Sequence, residues 1–98
     1  VQEHGGRPVG RLLDVRQPAE WAGGHVPGAV HVTGAELPGR VGEVPGSRPL
    51  AVMCGSGYRS SVAASLLAHR GRTGVHNVTG GMAAWTAAGL PVVPPGAR

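Results

Sequence analysis

Residues 49–67 read "PLAVMCGSGYRSSVAASLL", an apolar run followed by the single cysteine of the chain, a glycine-containing loop and a second apolar stretch. Leu50–Met53 is apolar throughout, which is typical of a parallel strand buried on both faces. Ser60–Arg70 has apolar residues at helical spacing and is followed by Gly71, so it predicts a helix. The stretch therefore predicts a strand–loop–helix unit with Cys54 at the carboxyl end of the strand.

Shorter elements on either side continue the alternation of strands and helices. Strands are predicted at Leu12–Val15, Ala29–Val32 and Val75–Val78, helices at Pro18–Ala22 and Gly81–Ala88, and a weaker helix at Ala35–Val41. This order predicts an α/β fold, a parallel sheet of four to five strands flanked by helices on both faces. Residues 11–93 should form the domain, with 1–10 an N-terminal extension or linker and 94–98 a C-terminal tail. Ligands of such sheets bind at the carboxyl ends of the strands, where Cys54 lies.

The composition of the chain limits the partners, location and cofactors that can be expected. A chain of 98 residues makes one domain, and its net charge of +4 comes from nine scattered arginines that form no basic run, so nucleic acid is not an expected partner. No segment reaches the roughly 20 apolar residues of a membrane span. One cysteine precludes an internal disulfide and favours a reducing compartment, hence the cytoplasm. No metal-binding spacing occurs, and neither metal nor cofactor is expected.

The loop "CGSGYR" has the residues needed to activate a thiol. Gly55 and Gly57 can adopt positive φ, so the loop can curl and direct successive backbone N–H groups at the sulfur. The start of the following helix contributes a partial positive charge, and Arg59 contributes a full one. These groups favour thiolate over thiol and lower the pKa of Cys54, which predicts a nucleophile.

The spacing of cysteine and arginine separates two nucleophilic chemistries. Thiol phosphatases have five residues between the two, whereas four residues separate Cys54 from Arg59, and Ser60 stands at the phosphatase arginine position. The shorter loop fits the terminal sulfur of a persulfide better than a tetrahedral phosphate or arsenate. A phosphatase or arsenate reductase is therefore disfavoured.

Motifs spread over nearly the whole chain resemble those of the rhodanese family of single-domain sulfurtransferases. They are "LLDVR" at 12–16, "EW" at 20–21, "GHVPGAVHV" at 24–32, "CGSGYRS" at 54–60 and "NVTGGMAAWTAAGLPV" at 77–92. The resemblance implies that Cys54 takes sulfane sulfur from a small anionic donor, becomes a persulfide and passes the sulfur to a thiol or cyanide acceptor. It also implies that the backbone of the loop holds the outer sulfur. The implied substrate-binding residues are Gly55, Ser56, Gly57, Tyr58, Arg59 and Ser60.

The donor, and the context of the domain, stay open at this point. Thiosulfate-using relatives often have a basic residue after the cysteine, where this chain has Gly55, and "CGSG" is similar to mercaptopyruvate-using members. The phrase "CGSGYRSSVAASLL" is also similar to rhodanese modules fused to metallo-β-lactamase-fold hydrolases, which suggests a fused or partner enzyme domain. The alternative function is a non-catalytic rhodanese-like module that binds or regulates a partner. The retained cysteine and glycine loop favour catalysis.

Two charged residues, Asp14 and Arg16, lie at the carboxyl end of a strand that should neighbour the Cys54 strand. Asp14 is a candidate acceptor for hydrogen bonds from the loop or from Arg59, and Arg16 a candidate attractor of anions. The structural alternative is an ion pair between Arg16 and Glu20 across the first turn of the next helix.

The aromatic residues and one histidine have simpler assignments. Trp21 and Trp85 are expected to anchor the core. Tyr58 is expected to line the mouth of the pocket, because no helical or strand period buries it. His25 is expected to order the Pro27–Gly28 turn.

Overall fold

Four parallel strands form the central sheet of the computed structural model, which describes residues 11–46 and 49–94. They are β1 (Arg11–Asp14), β2 (Val30–His31), β3 (Leu50–Met53) and β4 (Val75–Asn77), in the order β2-β1-β3-β4. Every neighbouring pair is parallel. The predicted extension at 1–10, and residues 95–98 of the predicted tail, lie outside the described residues.

Three α-helices connect or follow the strands: α1 (Pro18–Ala22), α2 (Tyr58–His69) and α3 (Gly81–Ala87). Helix α2 begins two residues earlier than predicted, because Gly57 adopts a left-handed conformation (φ 110°) and serves as its N-cap. The predicted helix at 35–41 is wrong. Two 3-10 turns, Leu37–Gly39 and Val41–Glu43, replace it, because Pro38 and Gly39 together disfavour a continuous α-helix.

The sheet has an apolar cluster on each face, so the predicted α/β layering is confirmed. One cluster lies under α2, which contributes Ala63 and Leu67. Strands β1 and β3 contribute Leu13, Leu50 and Val52 to it, and Cys54, directly after β3, also belongs to it. The other cluster is smaller, with Met53 and Val26 buried against Met82 of α3. In the described parts of the chain, no helix is both long and apolar enough to cross a bilayer.

The two tryptophans have different environments. Trp85 packs against the smaller cluster as expected, and its Nε1 donates to the carbonyl of Pro91 at 2.8 Å. Trp21 is only half-buried and is not a core anchor. Its ring stacks on the imidazoles of His25 (centroids 3.6 Å apart) and His31 (4.6 Å). Trp21 therefore ties α1 to the residues around β2.

His25 orders the end of α1 and not the Pro27–Gly28 turn. Its Nδ1 lies 3.1 Å from the carbonyl of Trp21, and its backbone forms an antiparallel bridge with Val93. The turn itself is closed by backbone groups, since the Ala29 N–H donates to the carbonyl of Val26 at 3.2 Å.

Candidate active site

Cys54 lies directly after β3, at the carboxyl edge of the sheet, and its side chain is fully buried. The backbone N–H of Gly57 donates to Sγ at 3.0 Å. The N–H groups of Ser56 and Ser60 also act on the sulfur. Because Gly57 caps α2, the positive end of a 12-residue helix faces the thiol as well. The loop is thus built to hold negative charge on sulfur.

Two opposing effects set the acidity of this thiol. Burial raises the pKa of Cys54, whereas the Ser60 hydroxyl and the backbone N–H groups of Ser60, Gly57 and Ser56 lower it. The hydrogen bonds outweigh burial, and the pKa falls from 9.0 to about 7. A large fraction of Cys54 is therefore thiolate at neutral pH without a neighbouring base.

Ser60 connects the thiol to β4 through a residue that the sequence did not reveal. Its hydroxyl donates to Oδ1 of Asn77 and lies 3.2 Å from the carbonyl of Gly57. Nδ2 of Asn77 donates to the same carbonyl at 3.3 Å. A hydroxyl has one proton, so it cannot serve Asn77 and the sulfur at once. We expect the Ser60 hydroxyl to turn to Sγ when the thiolate forms. The backbone N–H groups of the loop donate to the sulfur in both states.

The two glycines of the loop serve different purposes. Gly57 adopts positive φ as expected, and a Cβ there would lie 3.3 Å from the backbone nitrogen of Gly80. Gly55 does not belong to the positive-φ glycines. Its lack of a side chain leaves room for Arg59, whose Nη2 would lie 3.1 Å from a Cβ at position 55. Gly55 thus accommodates the guanidinium.

The start of α3 holds the loop from the other side. The N–H of Met82 donates to the carbonyl of Cys54 at 2.7 Å, and the N–H of Ala83 donates to that of Gly55 at 3.0 Å. Gly81 makes this approach possible, because a Cβ there would come within 2.2 Å of the Cys54 carbonyl oxygen. The "TGG" segment at 79–81, which leads into α3, is therefore part of the site, although the sequence indicated it only as part of a family motif.

Arg59 is paired within the protein. Its Nη1 and Nη2 donate to the two carboxylate oxygens of Glu20 at 2.6 and 3.0 Å. The hydrogen bonds from Arg59 lower the pKa of Glu20 to about 2, against the opposing effect of burial and with help from the Gln17 N–H. Arg59 interacts with the Cys54 sulfur as expected, but it does so as one half of an ion pair with Glu20. The expected Arg16–Glu20 pair is wrong, because Glu20 pairs with Arg59 instead.

Asp14 and Arg16 form a buried ion pair with each other. Nε of Arg16 donates to both carboxylate oxygens of Asp14 at 3.0 Å, and Nη2 donates to one of them at 2.9 Å. Nη2 also donates to the carbonyl of Gly24 at 2.8 Å. Asp14 therefore does not accept from Arg59, and Arg16 is committed to protein acceptors. The pair braces the residues after β1 against those after α1.

Tyr58 does not line a pocket. It is the first residue of α2 and is 76% exposed. The expectation failed because the helix begins at this residue, and its side chain then points to solvent. Among the described residues, no group of three or more histidine, cysteine or acidic side chains could hold a metal ion.

Comparisons with known proteins agree with this geometry. A model of the rhodanese-like domain matches residues 2–88. A sulfurtransferase from Allochromatium vinosum is 40% identical over 84 residues, which are 86% of this chain and 78% of the relative.

Solved structures give the same result. A rhodanese-related protein from Thermoplasma volcanium superposes with a TM-score of 0.79 at 31% identity, over 85% of this chain and 82% of that one. A rhodanese-like domain from Anabaena superposes with a TM-score of 0.80 at 32% identity, over 91% of this chain and 68% of that one. With its Cys54 loop between a central parallel strand and a helix, the chain belongs to the rhodanese-like domain family.

Proposed function

We propose that the protein is a sulfurtransferase in which Cys54 accepts sulfane sulfur from a thiosulfate or persulfide donor and passes it to a thiol or cyanide acceptor. One observation carries the proposal: Sγ of Cys54 accepts the Gly57 N–H at 3.0 Å in a loop that lowers the pKa of the thiol to about 7. A thiolate at neutral pH is the nucleophile that sulfur transfer needs.

Sulfur transfer takes two steps, loading of Cys54 and release to the acceptor, and atoms and electrons balance in each without a further reactant. In the first, the Cys54 thiolate attacks the outer sulfur of thiosulfate, the bond between the two donor sulfurs breaks, and sulfite leaves with the electron pair. Cys54 then carries a persulfide anion. In the second, cyanide or a thiolate attacks the outer sulfur of that persulfide, and Cys54 leaves as thiolate. No metal, cofactor or external oxidant takes part.

The loop supports this chemistry at both steps. The N–H groups of Ser56, Gly57 and Ser60, which stabilise the thiolate, can also stabilise a persulfide anion one bond further out. Because Cys54 is a leaving group in the second step, its lowered pKa helps both the attack and the release. A non-catalytic binding module has no use for an acidic thiol, so this observation favours catalysis.

A phosphatase is less well supported. The phosphatase arginine position holds Ser60, whose hydroxyl bonds within the protein. Arg59, one residue earlier, is occupied by Glu20. The described loop therefore offers no unpaired guanidinium for a phosphoryl group.

Intact-mass analysis tests the proposal directly. The wild-type protein treated with thiosulfate or with cysteine persulfide should gain one sulfur atom, and cyanide should remove it with release of thiocyanate. Cys54→Ser is the matched control and should gain none, because serine fills the site without the nucleophile. Thiocyanate release by Cys54→Ser at the wild-type rate would overturn the assignment.

A further inference from the structure

Glu20 lies outside the loop in sequence but at its rim in space. Thirty-nine positions separate it from Arg59, yet both its carboxylate oxygens accept from that guanidinium. One of those oxygens would lie 3.6 Å from a Cβ at Gly55, the residue next to Cys54. The carboxylate is held in place from behind, since the N–H of Gln17 donates to it at 2.9 Å. Glu20 is thus a fixed negative charge beside the nucleophile.

This pairing leaves the edge of the site without a free cationic side chain in the part of the chain that the structure describes. Arg59 is neutralised by Glu20, and Arg16 by the buried Asp14. The remaining attraction for a donor comes from backbone N–H groups, the start of α2 and the paired Arg59, which still interacts with the Cys54 sulfur. These groups act over short range on the sulfur itself. They stabilise negative charge on the more distant atoms of a donor only weakly.

Sulfur donors differ in the negative charge that they carry when they pass Glu20 and Arg59 to reach Cys54. Thiosulfate is a dianion and departs as sulfite, also a dianion. A thiol persulfide is neutral or singly charged at its sulfur and departs as a thiolate. A carboxylate at about 6 Å disfavours the dianion in proportion to its charge, by about tenfold in binding across solvent of the dielectric of water at low salt.

We propose that Glu20 is a specificity-determining residue that, by neutralising Arg59, selects thiol persulfides over dianionic donors as the source of sulfur for Cys54. The inference rests on the proposed function. The transfer it favours is balanced: the Cys54 thiolate attacks the outer sulfur of a persulfide R–S–SH, the S–S bond breaks, and R–S⁻ leaves while Cys54 becomes the hydropersulfide.

The charge at the rim can be measured without any sulfur transfer. Iodoacetate and iodoacetamide alkylate the same thiolate and differ by one negative charge, so the ratio of their rates cancels changes in the pKa of Cys54. Glu20→Gln keeps the shape and an acceptor oxygen for Arg59 but removes the charge. We expect it to raise the iodoacetate-to-iodoacetamide ratio about threefold at low ionic strength, and Arg59→Gln to lower it.

Glu43→Gln is the matched control, because it changes the net charge equally. Glu43 lies in the turn before β3, at the opposite end of that strand from Cys54, and is paired with exposed Arg40. The iodoacetate-to-iodoacetamide rate ratio of Glu43→Gln should equal that of the wild type. An unchanged ratio in Glu20→Gln, or an equal rise in Glu43→Gln, would overturn the inference.

Donor kinetics then separate this inference from the proposed function. In Glu20→Gln the KM for thiosulfate should fall about tenfold, while kcat/KM for cysteine persulfide changes about threefold or less. If neither donor loads Cys54 in the wild type, the proposed function fails. If the wild type is loaded but Glu20→Gln leaves the ratio of kcat/KM for the two donors unchanged, the role of Glu20 fails alone.

Discussion

At the scale of single residues, the reactivity of Cys54 comes from hydrogen-bond donors and not from a base. Most of these donors are backbone N–H groups, which neither titrate nor rotate, so they stabilise the thiolate at every pH. Two side chains also act on the sulfur, Arg59 and Ser60, and the one hydroxyl proton of Ser60 is shared between Asn77 and the sulfur. The pKa of Cys54 should therefore respond to changes at Ser60 and Asn77 in opposite directions.

Ser60→Ala should raise the pKa of Cys54, because the thiolate loses a hydrogen-bond donor. Asn77→Ala should lower it, because the Ser60 hydroxyl is then released from its competing acceptor and turns to the sulfur. Only the thiolate reacts, so the iodoacetamide rate should rise with pH through a midpoint of about 7 in the wild type. The midpoint should move up in Ser60→Ala and down in Asn77→Ala. Shifts of the same sign in both variants would contradict the shared-proton account.

At the scale of elements, the site is assembled from β3, the start of α2 and the start of α3. The first two were predicted together, because an apolar run, a cysteine and a helical period adjoin in the sequence. The contribution of α3 could not be predicted. It depends on backbone N–H groups of Met82 and Ala83 reaching the loop carbonyls, and such groups carry no side-chain signature. The glycine pair at the start of α3, Gly80 and Gly81, was the one feature of the sequence that could have indicated this close contact.

The fit of α3 against the loop can be tested with one methyl group. Gly81→Ala places a Cβ 2.2 Å from the Cys54 carbonyl oxygen in a residue with φ 53°. Gly89→Ala is the control, since φ is 72° there and nothing lies within 4 Å. We expect Gly89→Ala to cost about 1 kcal/mol of unfolding free energy from backbone strain alone.

Gly81→Ala should cost about 2–5 kcal/mol, because overpacking adds to the strain. It should also slow iodoacetamide alkylation of Cys54, whereas Gly89→Ala should not. Urea denaturation and alkylation at one pH measure both effects. Equal stability losses in the two variants would show that α3 can move away from the loop at little cost.

At the scale of the whole molecule, the α/β layering followed from local patterns, but the ion pairs did not. Asp14 and Arg16 were identified as neighbours of the site, and Glu20 as a partner for a basic residue. Which arginine pairs with which carboxylate depends on how α1 packs beside the loop 39 positions later, and no local spacing encodes that. The choice of partner matters, because the Asp14–Arg16 pair is buried and the Glu20–Arg59 pair is only partly buried.

The two ion pairs should therefore differ sharply in their effect on stability. Side chains of the Asp14–Arg16 pair are 0% and 7% exposed, whereas those of the Glu20–Arg59 pair are 38% and 40% exposed. Asp14→Asn leaves the charge of Arg16 buried without a counter-charge, so it should cost about 3–5 kcal/mol of unfolding free energy.

Glu20→Gln is the matched comparison, because it also replaces one carboxylate by an amide of the same shape. Its partner charge is partly solvated, and the loss should stay below about 1 kcal/mol. Guanidinium chloride denaturation at pH 7 measures both. If Glu20→Gln proved as damaging as Asp14→Asn, the Glu20–Arg59 pair would be a structural brace, and the effect of Glu20 on donor choice would have to be separated from misfolding. If only Asp14→Asn is damaging, the chain keeps one ion pair for its stability and leaves the other free to act on the charge of the donor.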